Sequence, residues 1–453
     1  MAILRALGHP VARPDDAVVA LAASEPRRRR RQYMPDDKTF GIFAPVYAIR
    51  EDDGVPRSNL LGLADLAVWA GRHGAAYLST LPLLAKDFDV ASPYSPLSRM
   101  WWDEGLLPLD RYPRRPTGAA DDLRRERPDV DRYGAYRHAR AGTLDPSLWA
   151  EMQATTDVVL GEVVQVAERA GCGLMLDMPV GCVADGYDPW AHPDSFVEPG
   201  SVTIGAPPDE FFTEGQDWGL LPLHPQRERV LGYPVVRACL RHCMRHAKAI
   251  RIDHVMGMRR LWWVPDGFPA SEGAYVRYPT DELLDLALEE AGRQDVLLVG
   301  EDLGTVEPAL RTSLRRRGIL GTDAAIFGLG AGKGPFRPRA ASVAMVGTHD
   351  TATFGGWWET ATPADREALG ANDPVAAVAT LLERLGESEA AIVMVTLEDL
   401  WGETRPQNVP GTVGPGNFSR PFALTMSKIA GSAEVASALS RLQRARARAT
   451  VKG

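Results

Sequence analysis

The chain has 453 residues, 45% of them apolar, and a formal net charge of −8. That length suits one large α/β domain with insertions, or two domains, and the apolar share supports a sizeable core. The acidic balance argues against a nucleic-acid binder and no run of eighteen apolar residues offers a membrane span; with only 4 cysteines there is no disulfide scaffold, so a reducing cytoplasm is the default compartment.

Residues 1–38 lack helical or strand periodicity and carry one basic run at 27–31, which predicts a solvated, mobile tail. Eight apolar segments then read as strands, at 40–49, 76–84, 173–180, 249–255, 296–300, 324–329, 343–347 and 391–397. Helix-period segments at 62–73, 149–170, 235–248, 280–292, 306–317 and 374–385 separate most of them. Strand and helix alternating in this way predict a (β/α)8 barrel over residues 39–425. Long insertions follow the second strand (86–147) and the third (181–230), where a barrel builds its ligand subsites. A helical segment at 426–453 ends the chain, and no C-terminal β-sandwich is expected.

Three of the strands run straight into charge: Ala249-Ile-Arg-Ile-Asp-His254, Val296-Leu-Leu-Val-Gly-Glu301 and Ser342-Val-Ala-Met-Val-Gly-Thr-His-Asp350. Charges at the ends of buried strands are costly unless paired or used. Asp253, Glu301 and Asp350 would therefore meet on one face of the barrel, a set that suits glycoside chemistry: one carboxylate as nucleophile or base, one carboxylic acid for the leaving oxygen, and a third that binds sugar hydroxyls and raises the acid's pKa. Arg251 lies two residues before Asp253, on the same strand face, where a guanidinium keeps a carboxylate ionised. A purely structural ion pair at the strand end is the other reading of the same residues.

These motifs, in this order, resemble the 4-α-glucanotransferases (amylomaltases, or disproportionating enzymes) of glycoside hydrolase family 77 in the α-amylase clan, over about residues 40–412. The resemblance implies that Asp253 is the nucleophile, Glu301 the general acid/base and Asp350 the transition-state stabiliser, with His349 binding the sugar beside it. Ser92-Pro-Tyr-Ser-Pro-Leu-Ser-Arg99 is similar to a substrate loop and implies contact from Tyr94. Gly186-Tyr-Asp-Pro-Trp190 resembles a donor-side loop and implies a role for Asp188; Gly215-Gln-Asp-Trp-Gly219 implies stacking of glucose on Trp218. Arg405-Pro-Gln-Asn-Val-Pro-Gly411 implies sugar binding by Asn408, while Arg251 and His254 flank the nucleophile, His254 toward the leaving or acceptor sugar. Trp262, Trp263 and Tyr275 are further candidates for acceptor-side aromatic contacts.

The chain departs from the family pattern at Asn59-Leu-Leu-Gly-Leu-Ala-Asp65, which has no tryptophan, at Ala325-Ile-Phe-Gly-Leu329, at Asp350-Thr-Ala-Thr353, and at Asn417-Phe418, where the family has Asn-Trp. None of these removes a catalytic carboxylate. Cys239, His242, Cys243 and His246 imitate a zinc set, but four ligands on one helix face cannot converge on a tetrahedral centre. No metal or organic cofactor is implied. The expected partners are malto-oligosaccharides and glucose, with no nucleic acid and no membrane; oligomeric state is not readable. Retaining transfer of α-1,4-glucan segments through a glycosyl-aspartate is the expected function, with a hydrolytic enzyme of the same clan or a catalytically weak glucan-binding barrel as alternatives.

Overall fold

The computed structural model of the protein describes Gln32 and residues 37–51, 59–108, 119–142, 144–210, 212–330, 336–412, 414 and 416–452. Most of the expected tail, including the arginine run, lies outside these residues. Thirteen strands occur among the described residues: β1 (Thr39–Phe43), β2 (Tyr77–Ser79), β3 (Gly173–Met178), β4 (Cys182–Val183), β5 (Val202–Ala206), β6 (Gln216–Leu221), β7 (Ala249–Ile252), β8 (Arg260–Pro265), β9 (Ala274–Arg277), β10 (Leu297–Gly300), β11 (Gly321–Ala324), β12 (Ser342–Met345) and β13 (Ile392–Thr396).

Eight of them pair in parallel in the order β10-β7-β3-β2-β1-β13-β12-β11. A parallel bridge between Val299 and Leu320 joins the two ends, so the sheet curls into the expected (β/α)8 barrel. The joint is short because β11 begins only at Gly321, and Gln32 patches it. Its side chain accepts from Leu298 N (2.6 Å) and donates to Leu298 O (3.3 Å) and Gly318 O (3.1 Å). This residue of the expected tail is thus docked on the barrel.

Period two sorts each strand's side chains. Tyr77, Met175, Ala249, Leu297, Val299, Val343, Ile392 and Met394 form an inner cluster. Their neighbours Leu78, Leu174, Leu176, Ile250, Leu298, Ala344 and Val393 pack outward in the main core with helix residues such as Leu63, Leu160 and Leu284. The inner series leads upward to function: two residues beyond Met175, Ala249 and Val299 lie Asp177, Arg251 and Glu301. The helices begin where sequence chemistry places caps: Asn59 accepts from Leu61 N and Gly62 N ahead of Leu60–Arg72, and Asp145 with Pro146 opens Pro146–Arg169. Among the described residues no helix is long and apolar enough to cross a membrane.

Two features differ from expectation. The sixth barrel strand is Gly321–Ala324, and the apolar stretch Ala325–Gly328 that resembled it is a 3-10 turn. Hydropathy missed the strand because Asp323 sits in it, satisfied by Arg339 N (2.8 Å) and Arg339 Nε (2.9 Å). The second is an antiparallel sheet, β4-β6-β5-β8-β9, that joins the insertion after β3 to an excursion after β7 that was not anticipated. Within it Trp263 is fully buried, its Cα paired with that of Ile204, so it is core and not an acceptor contact. Trp262 on the opposite face remains half-buried and meets Tyr275 edge-on at 4.9 Å.

The last helix, Ala433–Lys452, seats Leu439 and Leu442 in the main core. From it the buried Arg446 donates to the carbonyls of Gly386 (3.2 Å), Ser388 (3.3 Å), Ala390 (2.5 Å) and Ala391 (3.0 Å), fastening the turn that feeds β13. Burial lowers its guanidinium to about 10. Arg446→Ala strands these acceptors, and we expect a loss of about 3 kcal/mol, read as an earlier denaturation midpoint with secondary structure intact before the transition. An unchanged midpoint would show that water replaces the guanidinium freely.

Candidate active site

Arg251 is the centre of the rim. Its Nη1 lies 2.7 and 2.9 Å from the two Asp177 oxygens and 2.9 Å from Asp253 Oδ1. β3 and β7 are paired with Asp177 opposite Arg251, so strand register itself makes the first contact. Tyr94 donates its hydroxyl to Asp177 Oδ2 (2.6 Å) and lays its ring on His349, centroids 5.0 Å apart at an interplanar angle of 9°. His349 Nε2 lies 3.1 Å from Asp350 Oδ2, and Asn408 Nδ2 donates to Asp350 Oδ1 at 2.7 Å. Glu301 accepts from Leu303 N (2.7 Å) and from His254 N (3.1 Å), the residue next to Asp253.

Two backbone features allow that approach. His254 has φ 45°, a left-handed conformation costing about 1 kcal/mol or more in a non-glycine residue, and its N–H faces Glu301. Gly300 lets β10 lie against Val255; a Cβ there would come within 3.0–3.1 Å of the valine side chain. Trp218 then meets the His254 ring edge-on at 5.3 Å.

The electrostatics separate the carboxyls. Burial pushes Glu301 up to about 7; Arg251 and the two N–H groups oppose the rise, and the negative charge of Asp253 adds to it. Partial enclosure also pushes Asp350 up, but His349, Asn408 and Arg251 outweigh it and hold the group at about 2. His349 is correspondingly raised by Asp350 against its burial. Burial raises Asp177 as well, although Arg251 pulls it down. Near neutrality the rim therefore sets Glu301, which can hold a proton, against a firmly ionised Asp350.

Tyr94, Arg251, Asp253, His254, Glu301, His349, Asp350 and Asn408 thus lie in one connected network, with Trp218 at its edge. Asp188 does not join them. It is fully buried, accepting from Ser98 Oγ (2.5 Å) and Arg99 N (2.9 Å). Buried there, away from the rim, it anchors the loop that carries Tyr94. Two further residues of the rim were not predicted. Asp177 is the lone charge in an apolar strand and was open to the same reasoning as Asp253. Phe418 approaches Tyr94 (5.9 Å) and His349 (6.2 Å); the sequence marks it only as standing where the family has the tryptophan of an Asn-Trp pair. The zinc-like helix is split among separate neighbours: His242 lies against Trp102 (4.0 Å), His246 contacts Asp157 (2.9 Å), and Cys239 and Cys243 are buried in the core.

Fold and rim together define a (β/α)8-barrel protein with a carboxylate-rich cleft at the C-terminal ends of its strands. The chain belongs to the 4-alpha-glucanotransferase family, glycoside hydrolase family 77, whose model matches residues 120–425. A 4-alpha-glucanotransferase of Mycobacterium tuberculosis is 35% identical over 328 residues, 63% of this chain and 45% of the relative. One from Thermus thermophilus is 34% identical over 221 residues, 46% of this chain and 43% of the relative. The matched regions therefore span less than half the length of these curated relatives. Among solved structures, Corynebacterium glutamicum amylomaltase superposes with a TM-score of 0.81 at 22% identity, covering 90% of this chain and 75% of that one. Streptococcus agalactiae amylomaltase in complex with acarbose gives 0.78 at 18% identity, covering 89% and 98%.

Proposed function

We propose that this chain transfers α-1,4-glucan segments, with retention, from a malto-oligosaccharide donor to the 4-hydroxyl of another glucan or of glucose. The observation that carries the reading is the arrangement of Glu301, raised to about 7, beside an Asp253 that Arg251 holds by a charged hydrogen bond. Asp253 attacks the anomeric carbon as the glycosidic bond breaks, and Glu301 gives its proton to the departing oxygen. A β-glycosyl ester on Asp253 results. Glu301, now ionised, takes the proton of the acceptor 4-hydroxyl as that oxygen displaces Asp253, and the α-link is restored. Such a double displacement needs the two carboxyls roughly 5 to 5.5 Å apart. Asp350, His349 and Asn408 hold ring hydroxyls of the reacting unit, and Trp218 offers an indole face to a neighbouring glucose. Transfer prevails over hydrolysis when an acceptor held on such faces reaches a high effective concentration. The four cysteines, all buried and free, suit a reducing cytoplasm.

Incubation with maltotriose alone tests this. We expect glucose together with a ladder of oligomers longer than the substrate. Shortening without lengthening would make the protein a hydrolase, and an unchanged substrate pool would leave a binding barrel.

A further inference from the structure

This inference rests on the proposed glucan transfer and concerns what holds Asp350 in place. Its carboxylate is steered by His349 on one side and Asn408 on the other, and Asn408 itself belongs to no helix or strand. The neighbouring Gln407 is 2% exposed and uses both ends of its amide. Its Oε1 accepts from Tyr47 OH (3.1 Å), and its Nε2 donates to Glu398 Oε2 (3.0 Å). Tyr47 follows β1 and Glu398 follows β13, so one side chain ties this segment to the tops of the first and eighth barrel strands. Arg420 locks the arrangement, donating to Glu398 Oε2 (2.6 Å) and Arg405 O (2.7 Å). The Gln407 carbonyl also accepts from Phe418 N at 2.8 Å. Both ends of the 408–418 stretch, Asn408 against Asp350 and Phe418 against Tyr94 and His349, are therefore referred to this residue.

An amide suits the position. It must donate to a carboxylate and accept from a phenol at once. Glutamate would set a second negative charge against Glu398, and an apolar side chain would leave the half-buried Tyr47 hydroxyl without this acceptor. We propose that Gln407 is the positioning residue that fixes the Asn408–Asp350 contact for the reacting sugar. Asp350 acts on charge that develops in the transition state, so a small misplacement lowers turnover more than it weakens substrate binding.

The test uses the full chain and maltotriose. Gln407→Met is expected to lower kcat by about 10- to 100-fold, with KM moving by less than about threefold. Tyr47→Phe, which keeps the ring, gives a smaller loss of the same kind and serves if Gln407→Met does not fold. Because Gln407 acts through Asn408, the pair Gln407→Met/Asn408→Ala is no slower than Asn408→Ala alone. Amide hydrogen exchange supplies a readout without turnover: the Phe418 N–H exchanges faster in Gln407→Met than in the parent chain. An unchanged kcat, a rise in KM alone, additive losses in the double variant, or unaltered exchange at Phe418 would each overturn the assignment. If the parent chain leaves maltotriose untouched, the transfer reading fails by itself, and the exchange comparison then decides the role of Gln407.

Discussion

Asp253→Asn is expected to lose transfer on maltotriose by about 10⁴-fold or more while melting within a few degrees of the parent chain. The substitution is nearly isosteric, and Arg251 keeps both of its contacts with Asp177, so the guanidinium stays in place. What disappears is the oxygen nucleophile, and a carboxamide forms no glycosyl ester to replace it. The neutral side chain also removes one of the charges that raise Glu301, so any residual activity should show its basic limb at lower pH. Two measurements decide the matter: product chromatography after prolonged incubation, and a thermal melt of the same preparation. Activity within tenfold of the parent would remove Asp253 from the role of nucleophile, and a collapsed melt would make it structural.

The residues that carry this prediction were legible for a simple reason. Short buried strands alternate inside and outside, so a charge two residues beyond an inward-facing apolar residue must emerge at the barrel rim. Ala249–Arg251–Asp253 and Val299–Glu301 obey that rule, and Asp177 obeys it just as well. Depth below the surface was not legible. Asp188 sits in a loop motif whose neighbours frame the cleft, yet its carboxylate turns inward to Ser98 and the Arg99 amide. Consecutive strand residues face opposite ways, so Trp262 and Trp263 do not both face an acceptor, and it is Trp263 that turns into the core. That sheet was invisible because its pairing is non-local: β5 and β6 come from one insertion, β8 and β9 from another, with barrel strand β7 between them in the chain. The Gln32 patch on the barrel joint has the same origin, since no periodicity marks a side-chain amide that completes a strand pair 266 residues away.

Glu301→Gln should separate the two half-reactions. On maltotriose, where the leaving oxygen needs a proton, we expect a loss of about 10³- to 10⁴-fold. In the parent chain the acid form is required for that step, and Glu301 loses its proton at about 7. The sign follows: kcat/KM for maltotriose falls about tenfold per pH unit above that value, and the glutamine variant shows no such limb. A glycosyl fluoride, whose leaving group departs without protonation, bypasses the first requirement, so the variant should still glycosylate Asp253 from it. The second half-reaction needs Glu301 as a base toward the acceptor hydroxyl, and glutamine is none. The glycosyl-enzyme should then accumulate and appear in the mass spectrum of the intact chain as the added mass of one glycosyl unit, absent from Asp253→Asn treated in parallel. If the variant turns over fluoride and maltotriose with equal impairment and no adduct forms, Glu301 is not the acid/base, and the carboxyl beside His254 has some other task.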